Sequence, residues 1–137
     1  MAGCGAAGLC AARHLASAVP ANSLNLKVYE QSDSVGGTWV YTDNVGVDKH
    51  GLPVHSSMYK NLRTNLPKEV MAFPDFPFPA SDDSFLHHSQ VLDYLKLYCS
   101  NFQLEKFIKF NTKVSKVQPT KNEASKKGKV TPSVLRH

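Results

Sequence analysis

The chain has 137 residues, 42% hydrophobic and 20% charged, which is the size of one domain or part of one and the composition of a folded protein. No stretch approaches the roughly 20 apolar residues of a membrane-spanning helix; three cysteines (Cys4, Cys10, Cys99) with neither CxxC nor a histidine at metal spacing point away from a disulfide scaffold or zinc site and fit a reducing compartment. The net charge of +5 divides unevenly, 11 Lys/Arg against 10 Asp/Glu over residues 1–119 and 5 against 1 over 120–137, so the body is nearly neutral and unlike a nucleic-acid-binding surface.

In chain order, a glycine-rich start over residues 3–8 leads into a helix over 9–18, ended by Pro20 and Asn22. This start has no basic leader, and Arg13 and His14 interrupt it, so it does not read as a secretion signal. Residues 24–29 alternate apolar and polar and predict a strand that finishes at Glu30. Gly36-Gly37 marks a turn, and 43–53 is loop-like in composition. Between 56 and 79, Pro67, Pro74, Pro77 and Pro79 forbid a long helix or a central strand, while Met71, Phe73, Phe76 and Phe78 ask for burial. That combination predicts an ordered, packed loop region. Ser89 is the expected N-cap of a helix to about Phe102, with Val91, Leu92, Leu95, Cys99 and Phe102 on one apolar face and His87 and His88 helping to fix its start. Residues 107–110 and 112–117 are short strand candidates. After Pro119 the composition turns to Lys, Ser, Thr, Asn and Gly and predicts a basic, disordered tail over 120–137.

Gly3-Cys4-Gly5-Ala6-Ala7-Gly8 matches GxGxxG at the mouth of a helix. Glycines there let backbone amides approach a pyrophosphate, and the helix N-terminus adds unpaired N–H groups and partial positive charge. Alone the pattern also fits a small-residue turn that packs a helix. Here a strand follows, and Glu30 ends it 22 residues after Gly8, near the spacing at which a carboxylate grips a ribose hydroxyl. An acid at that place repels a 2′-phosphate and so favours an FAD or NAD adenosine. One departure stands out: only Met1 and Ala2 precede Gly3, so the strand that should lead into the glycines is missing, and the expectation is either a chain truncated at its N-terminus or a sheet built without its central member.

Three further segments carry a more specific likeness. Val28-Tyr29-Glu30-Gln31 is followed by Val35-Gly36-Gly37-Thr38-Trp39, then by the run from His55 through Thr64-Asn65-Leu66-Pro67-Lys68-Glu69 and Met71 into Phe73-Pro74-Asp75-Phe76-Pro77-Phe78-Pro79. Together with the glycines, these segments resemble the flavin-containing monooxygenases over about residues 3–119, with the animal and insect N-oxygenating members as the pattern. The resemblance implies that Gly3, Cys4, Gly5, Ala6, Ala7 and Gly8 hold the FAD pyrophosphate and Glu30 the adenosine ribose. It implies that Gly37, Thr38 and Trp39 lie toward the flavin, and that Thr64 and Asn65 stand beside the isoalloxazine and nicotinamide. Asn65 would then be the catalytic residue, hydrogen-bonding the nucleotide and protecting the oxygenated flavin. Val114 matches a strand whose backbone pairs with the adenine.

The implied fold class is α/β: a partial Rossmann-like FAD-binding βαβ domain over 1–119 lacking its first strand, with an irregular Pro/Phe-rich loop region and a disordered tail. The implied reaction is NADPH- and O2-dependent N- or S-oxygenation of a small-molecule amine or sulfide through a flavin C4a hydroperoxide, with no metal and no nucleic-acid partner. Localisation by the same resemblance is cytoplasmic, or the cytoplasmic face of the endoplasmic reticulum. No second GxGxxG occurs in the sequence, so the NADP-binding domain is expected to be absent and the chain alone inactive. The alternative is a non-catalytic FAD-binding remnant or a partner of a longer relative. With its first strand missing, Leu26, Val28, Val91, Leu95 and the phenylalanines are expected to lack burial partners.

Overall fold

The computed structural model describes residues 1–20, 23, 25–54, 56–119 and 128–135. Helix α1 (Ala6–Ala18) opens inside the glycine segment, three residues earlier than the composition suggests, because the small residues at Ala6, Ala7 and Gly8 adopt helical geometry themselves. Strand β1 is only Val28–Tyr29. It pairs in parallel with β2 (Ile108–Lys109), Val28 opposite Ile108 and Tyr29 opposite Lys109. On its other side Tyr29 is bridged to Ala2: Gly3 N–H donates to the Tyr29 carbonyl at 2.8 Å, and Tyr29 N–H donates to the Met1 carbonyl at 2.9 Å. Of the strand expected over 24–29, residue 24 lies outside the described residues, and over 25–29 the strand is shorter than its alternation suggests. A strand extends only as far as its neighbours supply ladder partners, and here the neighbours are one bridge and a two-residue strand.

The helix expected from Ser89 is α3 (His88–Asn101), and its cap is His87 rather than Ser89. The His87 Nδ1 accepts from the Ser89 N–H at 3.3 Å, while the Gln90 side chain accepts from the His87 N–H at 2.9 Å. An imidazole nitrogen thus does what a serine hydroxyl usually does for the orphan amides of a first turn. Val91, Leu95 and Cys99 are buried as the periodicity predicts, and so are Tyr94 and Tyr98. Leu9 and Ala12 of α1, Val28, Leu95, Tyr98, Cys99 and Leu104 form one core. The expectation that Val28, Val91 and Leu95 would lack partners is corrected: they are 1–3% exposed, and Val28 and Leu95 share one core with residues of both helices.

The Pro/Phe-rich segment is ordered and packed, with one short helix, α2 (Lys68–Met71). Phe78 stacks on Tyr94 with ring centroids 3.7 Å apart, and Phe73 lies 4.5 Å from Tyr98. Tyr94 also ties the loop by its hydroxyl, which donates to the Phe76 carbonyl at 2.6 Å and accepts the Phe73 N–H at 2.8 Å.

Strand β3 (Thr112–Pro119) pairs antiparallel with β4 (Gly128–Val134). The expected disordered tail does not hold over Gly128–Val134. Val130 and Val134 there alternate with polar residues and find a register on β3, Val130 opposite Val117 and Val134 opposite Thr112. The rest of that expectation, at 120–127 and 136–137, lies outside the described residues.

Tyr94→Phe keeps the ring but removes both loop bonds and leaves the Phe73 amide without its acceptor. It should lower stability by about 1–3 kcal/mol, read as a lower urea midpoint; an unchanged midpoint would show that ring packing alone holds the loop.

Candidate functional site

The C-terminal ends of parallel strands are where an open α/β sheet leaves a crevice, and three segments meet there. The first is the glycine turn. Gly3 has φ +85°, and a Cβ on Gly8 would stand 2.1 Å from the Gly3 carbonyl oxygen, so only glycine at position 8 lets α1 pass this close to the turn. The second is Gly36-Gly37, whose 3-10 turn runs Gly37–Trp39. The two turns touch: Gly36 N–H donates to the Cys4 carbonyl at 3.2 Å, and a Cβ on Gly37 (φ +56°) would lie 3.0 Å from the Gly5 Cα. Behind them Gly36 sits against α3, where a Cβ would meet the Leu92 Cδ1 at 2.3 Å. The turn thereby rests directly on α3.

Between the turns lies a cavity of about 300 Å³, walled by Gly3, Gly5, Ala6, Ala7, Gly8, Thr38 and Trp39 among others. The N-terminus of α1 opens onto it. No acidic residue stands in its first turn and no side chain caps it, so its first amides carry no internal acceptor. That is the donor set a diphosphate takes, and the backbone glycines leave it room. The residues present therefore fit a dinucleotide such as FAD.

The third segment ends at Glu30, which is 7% exposed. Its Oε2 accepts from the Cys4 N–H at 2.8 Å and the Cys4 Sγ at 3.2 Å, and its Oε1 from the Ser32 N–H at 2.8 Å and the Ser32 Oγ at 2.9 Å. Burial pushes its carboxyl up, but the hydrogen bonds from Ser32 and Cys4 outweigh that and hold it below its ordinary value of 4.5. Burial, then the Glu30 charge, push the Cys4 thiol up, so it remains a protonated donor. Glu30 and Ser32 line a second cavity of about 500 Å³, which shares Thr38 with the first. Its outer wall is the loop over 42–54, turned by the Asp48 carboxylate, which accepts the His50 and Leu52 amides, and tethered by a Lys49–Asp33 ion pair at 2.8 Å.

A family model of flavin-binding monooxygenase-like proteins matches residues 1–132. The chain belongs to the flavin-containing monooxygenase family. That family works with FAD and NADPH. Flavin-containing monooxygenase FMO GS-OX-like 4 of Arabidopsis thaliana is 41% identical over 93% of this chain, and the chain spans 30% of that relative. FMO GS-OX-like 11 of the same plant is 40% identical over 93% of this chain, which spans 82% of it. Among solved structures, S-allyl-L-cysteine S-oxygenase from Allium sativum superposes with a TM-score of 0.73 at 33% identity, covering 96% of this chain and 33% of that one. Tmm from Pelagibacter sp. strain HTCC7211 superposes at 0.77 with 27% identity, again over a third of its length (33%).

Within this flavin-containing monooxygenase chain, the expected site residues divide. Gly3, Cys4, Gly5, Ala6, Ala7, Gly8, Glu30, Gly37, Thr38 and Trp39 are brought together around the two cavities. Val114 stands half-buried on β3 opposite Pro132, two residues beyond Thr112, whose N–H donates to the Glu30 carbonyl at 2.8 Å. Thr64 and Asn65 line neither cavity. Thr64 is buried and clamps the Leu86 backbone, donating its N–H to the carbonyl at 2.8 Å and accepting the amide on Oγ1 at 3.0 Å; Asn65 is exposed beside it. Sequence reasoning missed Ser32, although a serine two residues after an acid is a recognisable local turn pattern. It also missed the 42–54 wall, which nothing but its turn composition marks. Among the described residues no helix is long and apolar enough to cross a membrane.

Because the folded Glu30 carboxyl lies below its ordinary value, its bonds contribute stability that is full above pH 4.5 and is lost as pH falls through the folded value. Urea midpoints followed downward from pH 6 to about pH 3 should therefore fall more steeply for the wild type than for Glu30→Gln. Parallel curves would contradict the hydrogen-bond assignment.

Proposed function

We propose that residues 1–119 form the FAD-binding part of a monooxygenase that oxygenates a soft heteroatom of a small molecule, using NADPH and dioxygen. The observation that supports it is the convergence of two glycine turns, an uncapped helix N-terminus and a buried carboxylate around one crevice. On this reading the amides of Gly5, Ala6, Ala7 and Gly8 receive the FAD diphosphate, with Gly3 and Cys4 shaping the turn. Glu30 takes the ribose hydroxyls, and the backbone of β3 at Val114 faces the adenine. Gly37, Thr38 and the half-buried Trp39 lie toward the flavin half.

Bound FAD supplies the redox and oxygen chemistry; the protein supplies position and exclusion of water. Asn65 is the residue of this chain assigned to hydrogen-bond the nucleotide near the reacting ring. Its neighbour Thr64 is fixed by the two bonds to the Leu86 backbone. Sulfur is the favoured heteroatom, a choice supported by the name of the garlic S-oxygenase at 33% identity; an amine nitrogen is the other. The three free cysteines support a cytoplasmic placement, and the cytoplasmic face of the endoplasmic reticulum belongs to the same reading.

The 137 residues hold a single GxGxxG, so on their own they should bind FAD without oxidising NADPH. A second reading is a flavin-binding module without catalysis. One observation favours it: the chain spans 82% of FMO GS-OX-like 11, against 30% of FMO GS-OX-like 4.

The test is the visible spectrum of the purified 137-residue protein, desalted after incubation with FAD. The wild type should keep its flavin absorbance, and Glu30→Arg should weaken retention by about tenfold or more, the scale of a lost charge-assisted hydrogen bond. Soluble protein without flavin, or equal retention by the variant, would overturn the reading. Added NADPH should leave the retained flavin oxidised in the isolated chain; bleaching would instead show that these residues suffice for reduction.

A further inference from the structure

The four donors on Glu30 are of two kinds. The N–H groups of Cys4 and Ser32 belong to the backbone of the glycine turn and of the segment after β1, and cannot leave without moving either. The Cys4 thiol and the Ser32 hydroxyl are rotors. Each carries one proton, and each has a second acceptor in reach. The Ser32 Oγ stands 2.9 Å from the Glu30 Oε1 and 2.9 Å from the Ser34 carbonyl oxygen. The Cys4 Sγ stands 3.2 Å from the Glu30 Oε2 and 3.8 Å from that same Ser34 carbonyl. A carbonyl oxygen has two lone pairs and can take both protons.

We propose that the Ser32 hydroxyl and the Cys4 thiol are exchangeable donors on the Glu30 carboxylate, which turn to the Ser34 carbonyl when the two hydroxyls of an adenosine ribose arrive. The proposal rests on the reading of Glu30 as the ribose carboxylate and adds how a buried acid is kept satisfied before the nucleotide enters. One donor leaves each carboxylate oxygen, and one ribose hydroxyl replaces it. The backbone donors stay, so the carboxylate does not move. No proton is transferred and no bond is broken; two O–H or S–H vectors change acceptor. The carboxylate is thus pre-organised for a ligand with a free 2′,3′-diol.

Ser32 is a positioning residue with a signature that a purely structural residue lacks. Removing its hydroxyl leaves the Glu30 Oε1 short of a donor in the free protein and removes the competitor in the complex. Ser32→Ala should therefore lower the thermal midpoint of the free chain while tightening ADP about three- to tenfold, the difference between a hydrogen bond to a charged acceptor and one to a neutral acceptor. ADP and 2′,3′-dideoxy-ADP are the probes, titrated calorimetrically into the 137-residue chain. The wild type should prefer ADP, Ser32→Ala should widen that preference with the dideoxy affinity unchanged, and Ser32→Thr should restore wild-type values.

An independent readout is the S–H stretching band that Cys4→Ala abolishes. ADP should move it to higher frequency as the thiol exchanges a carboxylate for a more distant carbonyl. If Ser32→Ala weakens ADP and dideoxy-ADP alike, or if the wild type binds both equally, the exchange is wrong while the diphosphate seat stands. If the wild type takes neither ADP nor FAD, the FAD-site reading falls and the exchange falls with it.

Discussion

The Glu30 carboxylate is the point on which the rest of the arrangement depends. A carboxylate that is 7% exposed is costly unless each oxygen is matched by donors. The matching here ties the glycine turn to the segment after β1, beside the backbone bond that the Gly3 N–H donates to the Tyr29 carbonyl. Cys4 contributes its amide because Gly3, at φ +85°, reverses the chain at that place, and Ser32 contributes its amide because the chain turns immediately after the strand. Removing the acid would therefore take away the side-chain ties between the two segments and leave only the backbone bonds of Gly3 and Met1 to Tyr29. A surface glutamate could be lost at little cost, whereas this one holds the site's geometry and is also its candidate ligand.

The crevice inherits its rigidity from the core through glycine contacts. Gly8 lets α1 approach the Gly3 carbonyl, Gly37 lets the second turn approach Gly5, and Gly36 seats that turn on Leu92 of α3. In turn α3 is held by Tyr94 and Tyr98, whose rings take Phe73, Phe76 and Phe78 and so convert a proline-rich stretch with little regular structure into an ordered layer. Packing that looks remote from the cofactor crevice thus determines where Gly37, Thr38 and Trp39 stand. The family's flavin chemistry needs such fixed backbone donors more than it needs reactive side chains, because the cofactor brings the reactivity.

The parts legible in the sequence were those with a local physical cause. The glycine spacing, the acid at the end of a strand and the apolar face of Val91, Leu95 and Cys99 follow from short-range geometry, and each stands where expected. Elements that depend on a distant partner were not legible. The length of β1 is set by Ala2 and Lys109, which lie far from it in sequence. Strand β4 looked like tail because Gly128, Pro132 and the polar residues between them mask its two valines, yet Val130 and Val134 find a register on β3. The His87 cap was half visible: a histidine pair before a helix suggested a role, but which side chain accepts depends on the turn the backbone takes. Ser32 was overlooked because a hydroxyl's partner is invisible until the carboxylate beside it is known to be buried.

The most direct test of this account is an amide nitrogen–proton NMR titration of the 137-residue chain with FAD. The account predicts that the largest shifts fall on Gly5, Ala6, Ala7 and Gly8 at the start of α1, on Gly37 and Thr38, and on Cys4 and Ser32 around Glu30, with α3 nearly unmoved. Shifts confined to other surfaces, such as the aromatic layer at Phe78 and Tyr94, would contradict it. They would mean that the two glycine turns meet for packing alone.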